Sequence, residues 1–208
     1  MKTQRNIKAF TLVELLTALL VTSILLSAMA TLAYAMSSAT RTSDDTAIKQ
    51  AQLRHTTLRL GELIRTSRMI CAAPGNDLAV WTSDNNDDGL VNVDELVYIE
   101  RGGALDSVSL CQFPAGATAL VDFGSLTLTA TKTQLLADYE ETILPLLPTC
   151  RNVQFIIDVN PPDTRRVTIS FDLTENQADH RYEVTATLRA WAGNLLNDSG
   201  DALIGDDD

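Results

Sequence analysis

From Leu15 to Met36 the chain is apolar, with Thr, Ser and Tyr as its only polar interruptions and no formal charge. As a helix this run spans roughly 30 Å or slightly more, enough to cross the hydrocarbon core of a bilayer. A polar interval follows, Ser37 to Asp45, in which Asp44 and Asp45 suit a helix start. Helical spacing then resumes, with Ile48, Ala51, His55 and Leu58 on one line and Leu53, Leu60 and Ile64 on a second. This helix reads to about Ile70, with Pro74-Gly75 as its stop and Arg54, Arg59, Arg65 and Arg68 on a solvated side.

Beyond Gly75 the pattern changes. Leu78–Trp81, Leu96–Ile99, Val108–Phe113, Ser125–Thr131 and Arg151–Asn160 are β-rich, while Leu135–Leu147 suits a short helix ended by Pro145 or Pro148. Val167, Ile169, Phe171 and Leu173 alternate with polar residues, as do Tyr182, Val184, Ala186, Leu188 and Ala190. These segments predict a long antiparallel hairpin with one buried face, joined by a polar turn from Glu175 to His180. After Trp191 the composition shifts to Asn, Asp, Ser and Gly and ends in Asp206-Asp207-Asp208, an acidic flexible tail. The predicted class is α+β: a long amino-terminal helix packed on an antiparallel β-sheet head.

Charge and length narrow the function. The 208 residues hold an anchor, a connecting helix and one compact domain. A net charge of -11 argues against a nucleic-acid partner, which would need clustered Lys and Arg. Lys2, Arg5 and Lys8 precede the apolar run and the next positive charge is Arg41, so the positive-inside rule keeps the amino terminus cytoplasmic and exports the rest. A secretory signal would have an apolar core of about 7–15 residues and a small-residue cut. Ser27-Ala28-Met29-Ala30 loosely supplies the cut, but the run continues past it.

Cys71, Cys111 and Cys150 lie far apart without C-x-x-C spacing, which argues against zinc or a redox motif. In an exported chain, one disulfide between two of them plus one free thiol is the simplest arithmetic; three buried thiols is the alternative. There is no G-x-S-x-G, H-E-x-x-H or P-loop, only two histidines lie far apart, and Asp122-Phe123-Gly124 is a chance tripeptide. The chain is not read as an enzyme.

Upstream of the span, Lys8-Ala9-Phe10-Thr11-Leu12-Val13-Glu14-Leu15-Leu16 resembles the cleavage and methylation motif of type IV prepilins and type II secretion pseudopilins. The resemblance implies a cut between Ala9 and Phe10 by a prepilin peptidase, N-methylation of Phe10, and a functional carboxylate at Glu14. Ala9 stands where that family more commonly has Gly. It also implies pilin-like subunits, an inner-membrane assembly machinery and membrane lipid as partners. Glu14 would meet a neighbour's terminal ammonium, since a carboxylate at the edge of an apolar helix is costly without a partner. The chain then divides into a leader (1–9), a transmembrane helix (10–36), its continuation (37–73), a β-rich head (74–193) and a tail (194–208). Leu188-Arg189-Ala190 resembles minor pseudopilin ends, which favours a secretion pseudopilus over a pilus.

Within the head, Asp84 to Glu95 fills each fixed place of D-x-[DN]-x-[DN]-G-x5-E, a calcium-loop pattern. Calcium takes about six to eight oxygens at roughly 2.3–2.6 Å. Asp84, Asn86 and Asp88 supply side-chain oxygens, Leu90 its carbonyl, Asn92 a direct or water-mediated contact and Glu95 both carboxylate oxygens. Gly89 permits the turn and Val91 fastens the loop inward. Strands rather than paired helices flank it, and Asp, Asn and Gly are also ordinary turn residues, so a hairpin that binds nothing specifically is the competing reading. The resulting expectation is a minor pilin or pseudopilin with a calcium-stabilised head. The alternatives are a calcium-dependent adhesion or substrate-binding module displayed on a pilin-like anchor and, last, a tethered hydrolase using its carboxylates.

Overall fold

The computed structural model describes residues 11–75, 77–147, 149–175, 178–190, 195–197 and 203. The chain divides into two compact units, Met1–Ala47 and Ile48–Asp208. Helix α1 (Leu12–Thr66) makes up the first unit from Leu12 onward and continues into the second. Among the described residues it is the one helix long and apolar enough to cross a membrane. In the first unit its apolar side chains stand exposed, Leu19 by 59 % and Leu20 by 60 %. The hydroxyls within it fold back on their own helix: Thr22 Oγ1 donates to the Ala18 carbonyl at 2.9 Å and Thr31 Oγ1 to that of Ala28 at 2.8 Å. The polar interruptions therefore leave these hydroxyl donors satisfied on an apolar surface. The interval Ser37–Asp45 is helical throughout, so the expected fraying does not occur.

In the second unit, β1 (Met69–Ala72), β2 (Leu78–Trp81), β3 (Leu96–Arg101), β4 (Val108–Gln112) and β5 (Thr142–Leu147) form an antiparallel sheet in chain order. Helix α2 (Thr129–Asp138) precedes β5. A second antiparallel sheet contains β6 (Arg151–Ile157), β7 (Arg166–Glu175) and β8 (Ala178–Thr187). The long helix followed by antiparallel sheets is the α+β, pilin-like architecture read from the sequence.

Strands β2 and β3 are apolar at successive positions because both faces of their sheet are covered. Leu78, Val80, Val97 and Ile99 join one core with Leu60 and Ile64 of α1 and Val167, Ile169 and Phe171 of β7. Ala79, Trp81, Leu96 and Tyr98 join a second with Val91, Val93, Leu126 and Leu135. Helix α1 is tied to β5 by the buried Thr56 hydroxyl, which donates to the Leu146 carbonyl at 2.8 Å. Helix α2 is held through Lys132, which pairs with Asp77 and with Glu100 and lies 5.4 Å from the centre of the Tyr98 ring.

The final hairpin follows the sequence pattern in register, with Val167 opposite Ala186, Ile169 opposite Val184 and Phe171 opposite Tyr182. Other elements differ. Helix α1 ends at Thr66 rather than Ile70, because Met69–Ala72 is claimed by strand pairing to β2, with Ile70 opposite Val80. The buried line on α1 is Thr56, Leu60 and Ile64, with Leu53 half-buried against the same core, while Ile48 and Leu58 on the other line are 59 % and 64 % exposed. Ser125–Thr131 is not a strand: a 3₁₀ helix (Phe123–Thr127) and the start of α2 occupy it. Asp122 explains the former, its carboxylate accepting the Ser125 N–H at 2.9 Å as an N-cap. The helix expected over Leu135–Leu147 lies earlier, and Pro145 sits in β5, an edge strand that tolerates a missing donor. His180 belongs to β8 opposite Leu173 rather than to a turn.

All three cysteines are free and buried, so the expected disulfide does not form. Cys71 and Cys111 share one core but lie on β1 and β4, three strand spacings or about 14 Å apart. Cys150 lies in the other core. A disulfide needs Cα atoms within about 7 Å. Burial pushes the Cys71 thiol up to about 12, against a lowering hydrogen bond from the Trp81 backbone, and raises Cys111 to about 12 and Cys150 to about 11.

Candidate functional site

The segment Asp84–Glu95 leaves β2 and re-enters β3 through a 3₁₀ helix, Val93–Glu95, so the loop is framed by strands. Its turn rests on two positive-φ residues, Asp87 at 57° and Gly89 at 69°. Side chains, not backbone pairing, organise its first half. Asp84 Oδ1 accepts the Asp88 N–H at 3.2 Å and Oδ2 accepts the Gly89 N–H at 3.1 Å. Asp88 Oδ1 accepts the Leu90 N–H at 2.8 Å, while its Oδ2 faces Asn86 Nδ2 at 2.7 Å and Asn92 Nδ2 at 3.2 Å. Burial would raise the Asp88 pKa, but the bonds from Leu90, Asn92 and Asn86 outweigh it and hold the carboxyl below its ordinary value.

Glu95 closes the loop from inside. It is 1 % exposed, and its carboxylate accepts the Asn85 N–H at 2.5 Å, Trp81 Nε1–H at 3.0 Å and the Asn92 N–H at 3.3 Å. The second half of the loop is zipped to 114–121. Val93 and Asp94 N–H groups donate to the Ala119 and Ala117 carbonyls, each at 3.1 Å, the Val121 N–H donates to the Val91 carbonyl at 2.9 Å, and Asp94 accepts the Gly116 N–H at 2.9 Å. Val91 is buried, as its inward role requires.

The residues present fit a calcium ion by donor chemistry: three carboxylates, two amides and the Leu90 carbonyl, all from one loop. One atom calls for a partner. Asn92 is 1 % exposed, and its Oδ1 has no hydrogen-bond partner among the described residues. The Glu95 N–H donates to the Asn92 backbone carbonyl at 3.1 Å; the Asn92 side chain faces the same N–H in a capping-box arrangement but without the geometry of a hydrogen bond. The oxygens do not form a ready cage, however. Among the described residues no three carboxylate, imidazole or thiol side chains converge as a metal centre would require. Asp84, Asn86, Asp88, Asn92 and Glu95 would hold the ion with the Leu90 carbonyl, and it would supply charge neutralisation to the loop.

Two neighbours of the loop escaped the sequence reading. Arg68, assigned to a solvated helix side, lies beyond α1, and its Nη1 pairs with Asp84 Oδ2 at 2.9 Å. Trp81 lies under it, the guanidinium 5.1 Å from the ring centre, while its Nε1 reaches Glu95. No local signal joins them: Arg68 and Asp84 meet only because β1 and β2 pair, with Met69 opposite Trp81.

In the amino-terminal unit, Thr11 starts α1. Its Oγ1 accepts the Glu14 N–H at 3.3 Å and its carbonyl the Leu15 N–H at 3.1 Å, a cap of Thr-x-x-Glu spacing. Glu14 stands exposed in the first helical turn, among exposed Leu12, Val13, Leu15 and Leu16. A carboxylate there complements the helix dipole yet sits on an apolar surface that water does not suit.

Residues 4–30 match the family model described as the prokaryotic N-terminal methylation motif. The chain carries a prepilin-type amino terminus. No curated protein and no solved structure matches it. The prepilin-type motif implies processing by a prepilin peptidase and assembly with other pilin-type subunits. Ala9 and Phe10, the expected cut and methylation site, lie outside the described residues. Of Ala9, Phe10 and Glu14, Glu14 lies among the described residues. His55 and His180 lie exposed on α1 and β8 and bring no catalytic group to either site.

Proposed function

We propose that the protein is a structural subunit, a pseudopilin or minor pilin, cut between Ala9 and Phe10, methylated on Phe10 and assembled through its apolar helix into a filament. The observation that carries the reading is the methylation motif over residues 4–30 leading into one long helix with an antiparallel β head. Before assembly the chain sits in the inner membrane with its amino terminus cytoplasmic and its head outside, a topology supported by the Lys2, Arg5 and Lys8 charges. Glu14 then pairs with the terminal ammonium of a neighbouring subunit, where low dielectric makes the pair register-specific. A type II secretion pseudopilus is the favoured destination, on the resemblance of Leu188-Arg189-Ala190 to minor pseudopilin ends.

The same reading gives the head a calcium ion in the Asp84–Glu95 loop. Its support is the donor pattern together with the buried, unpartnered Asn92 Oδ1. The ion would stabilise the head by linkage wherever calcium is available.

Mass spectrometry of the full chain, extracted in detergent from cells with and without a prepilin peptidase, tests processing. The expected product begins with N-methylated Phe10 only when the peptidase is present. An intact Met1, or a cut after Ala30, defeats the assignment. For calcium, Glu95→Gln is a poor probe because Glu95 also holds Trp81, Asn85 and Asn92. Asp88→Asn is preferred because Asp88 is half-buried where Glu95 is 1 % exposed. It too accepts from Leu90, Asn86 and Asn92, so the readout is the calcium-dependent rise in melting temperature, most of which it should lose, and not the metal-free value.

A further inference from the structure

We propose that Arg68 is a built-in substitute for the cation of the Asp84–Glu95 loop, and that its guanidinium sets the calcium concentration at which the loop loads. The inference rests on the calcium reading above and names the residue that opposes it.

Around Asp84 and Asp88 the loop presents N–H groups where a cation would call for oxygens. Arg68 Nη1 meets Asp84 Oδ2 at 2.9 Å, and Asn86 Nδ2 and Asn92 Nδ2 both meet Asp88 Oδ2, at 2.7 and 3.2 Å. Two amide NH₂ groups on one carboxylate oxygen do what a positive ion would do there. Turning the Asn92 amide by half a turn exchanges Nδ2 for Oδ1, the buried atom that lacks a partner. The amides can thus answer a cation by rotating. The guanidinium cannot, since it has only donors and a permanent charge.

Arg68 is also fixed in place. Its main-chain N–H donates to the Trp81 carbonyl at 2.9 Å, and its side chain lies over the Trp81 ring at 5.1 Å. Asp84, the carboxylate it neutralises, has a side chain only 3 % exposed. A positive charge held there acts against calcium whether or not it is displaced, because like charges at this separation repel. It also keeps the metal-free loop ordered, by offsetting a carboxylate that would otherwise be buried without a counter-charge. The substitution Arg68→Gln should therefore weaken the calcium-free head and tighten calcium binding together. A purely structural ion pair would do only the first.

Trp81 gives a direct readout, since it touches both Arg68 and Glu95. The full chain in detergent, carrying Trp191→Phe so that Trp81 is the sole tryptophan, is titrated with calcium chloride and with magnesium chloride as control. Arg68→Gln is expected to bind calcium on the order of tenfold more tightly than the parent, with a lower melting temperature in chelator. Arg68→Lys, which keeps the charge, is expected to stay near parent affinity. Arg68→Met retains the apolar stem over Trp81 and serves as the test if the Gln variant does not fold. Unchanged or weaker calcium binding in the uncharged variants overturns the role of Arg68 and leaves the calcium site standing. No calcium response in the parent or any variant overturns both, whereas a response only in the uncharged variants supports the substitute role strongly.

Discussion

The first stretch of α1 and strands β2 and β3 are built from the same kind of residue and meet opposite fates. Leu19 and Leu20 are 59 % and 60 % exposed, whereas Val80 and Ile99, equally apolar, are wholly buried. In the head β2 and β3 find cover on both faces within the chain, because their side chains enter two cores, one shared with α1 and β7 and one with α2. Among the described residues the amino-terminal stretch finds none. Apolar surface left open at this scale demands lipid or other subunits. The difference teaches where the molecule ends as a folded unit and where it begins as a component.

A charge placed in each region should separate them most sharply. Val80→Asp, which buries an unpaired carboxylate between sheet and helix, should abolish the folded head by circular dichroism. Leu20→Asp should leave the head's melting unchanged while costing about 3 kcal/mol of membrane insertion, read by membrane fractionation. If Leu20→Asp unfolds the head, the two regions are not independent.

Within α1 the contrast narrows to single residues. Leu60→Ala should destabilise the head by about 2–5 kcal/mol in denaturant titration, since Leu60 is fully buried between the sheets. Leu58→Ala, two positions away and 64 % exposed, should change stability by less than about 0.5 kcal/mol. Equal losses would mean that the buried face of α1 is misassigned.

The smallest effect concerns the thiols. Cys71, Cys111 and Cys150 favour the protonated form when folded, with values raised from 9.0 to about 12, 12 and 11. A raised folded pKa means that this stabilisation is complete below 9.0 and is lost as pH climbs from there towards the folded values. Maleimide labelling near neutral pH should therefore be slow until denaturant opens the head, and reducing agent should leave the melting temperature unchanged. A reductant-sensitive melting temperature would mean that a disulfide forms after all.

Local pattern made much of this legible. The apolar span and the Lys8–Leu16 motif required only neighbouring residues, and the alternation in β7 and β8 fixed which side chains face the core, because strand side chains change face at each residue. The loop from Asp84 to Glu95 was visible for the same reason: its candidate ligands all belong to one short segment. What failed was long-range. Met69–Ala72 has helical neighbours and reads as their continuation, yet pairing with β2 makes it a strand. Leu58 and Leu60 are indistinguishable in composition, and only the position of the sheets buries one and exposes the other.

The sequence by itself determined the membrane-spanning length, the methylation motif, the acidic loop and the class of the head, because each is written in residues close together along the chain. Tertiary structure alone decided that three cysteines stay apart, that Trp81 lies beneath Arg68, and that a guanidinium rather than solvent faces Asp84. Those outcomes depend on which strands pair, and pairing is settled by burying two cores at once rather than by any local signal.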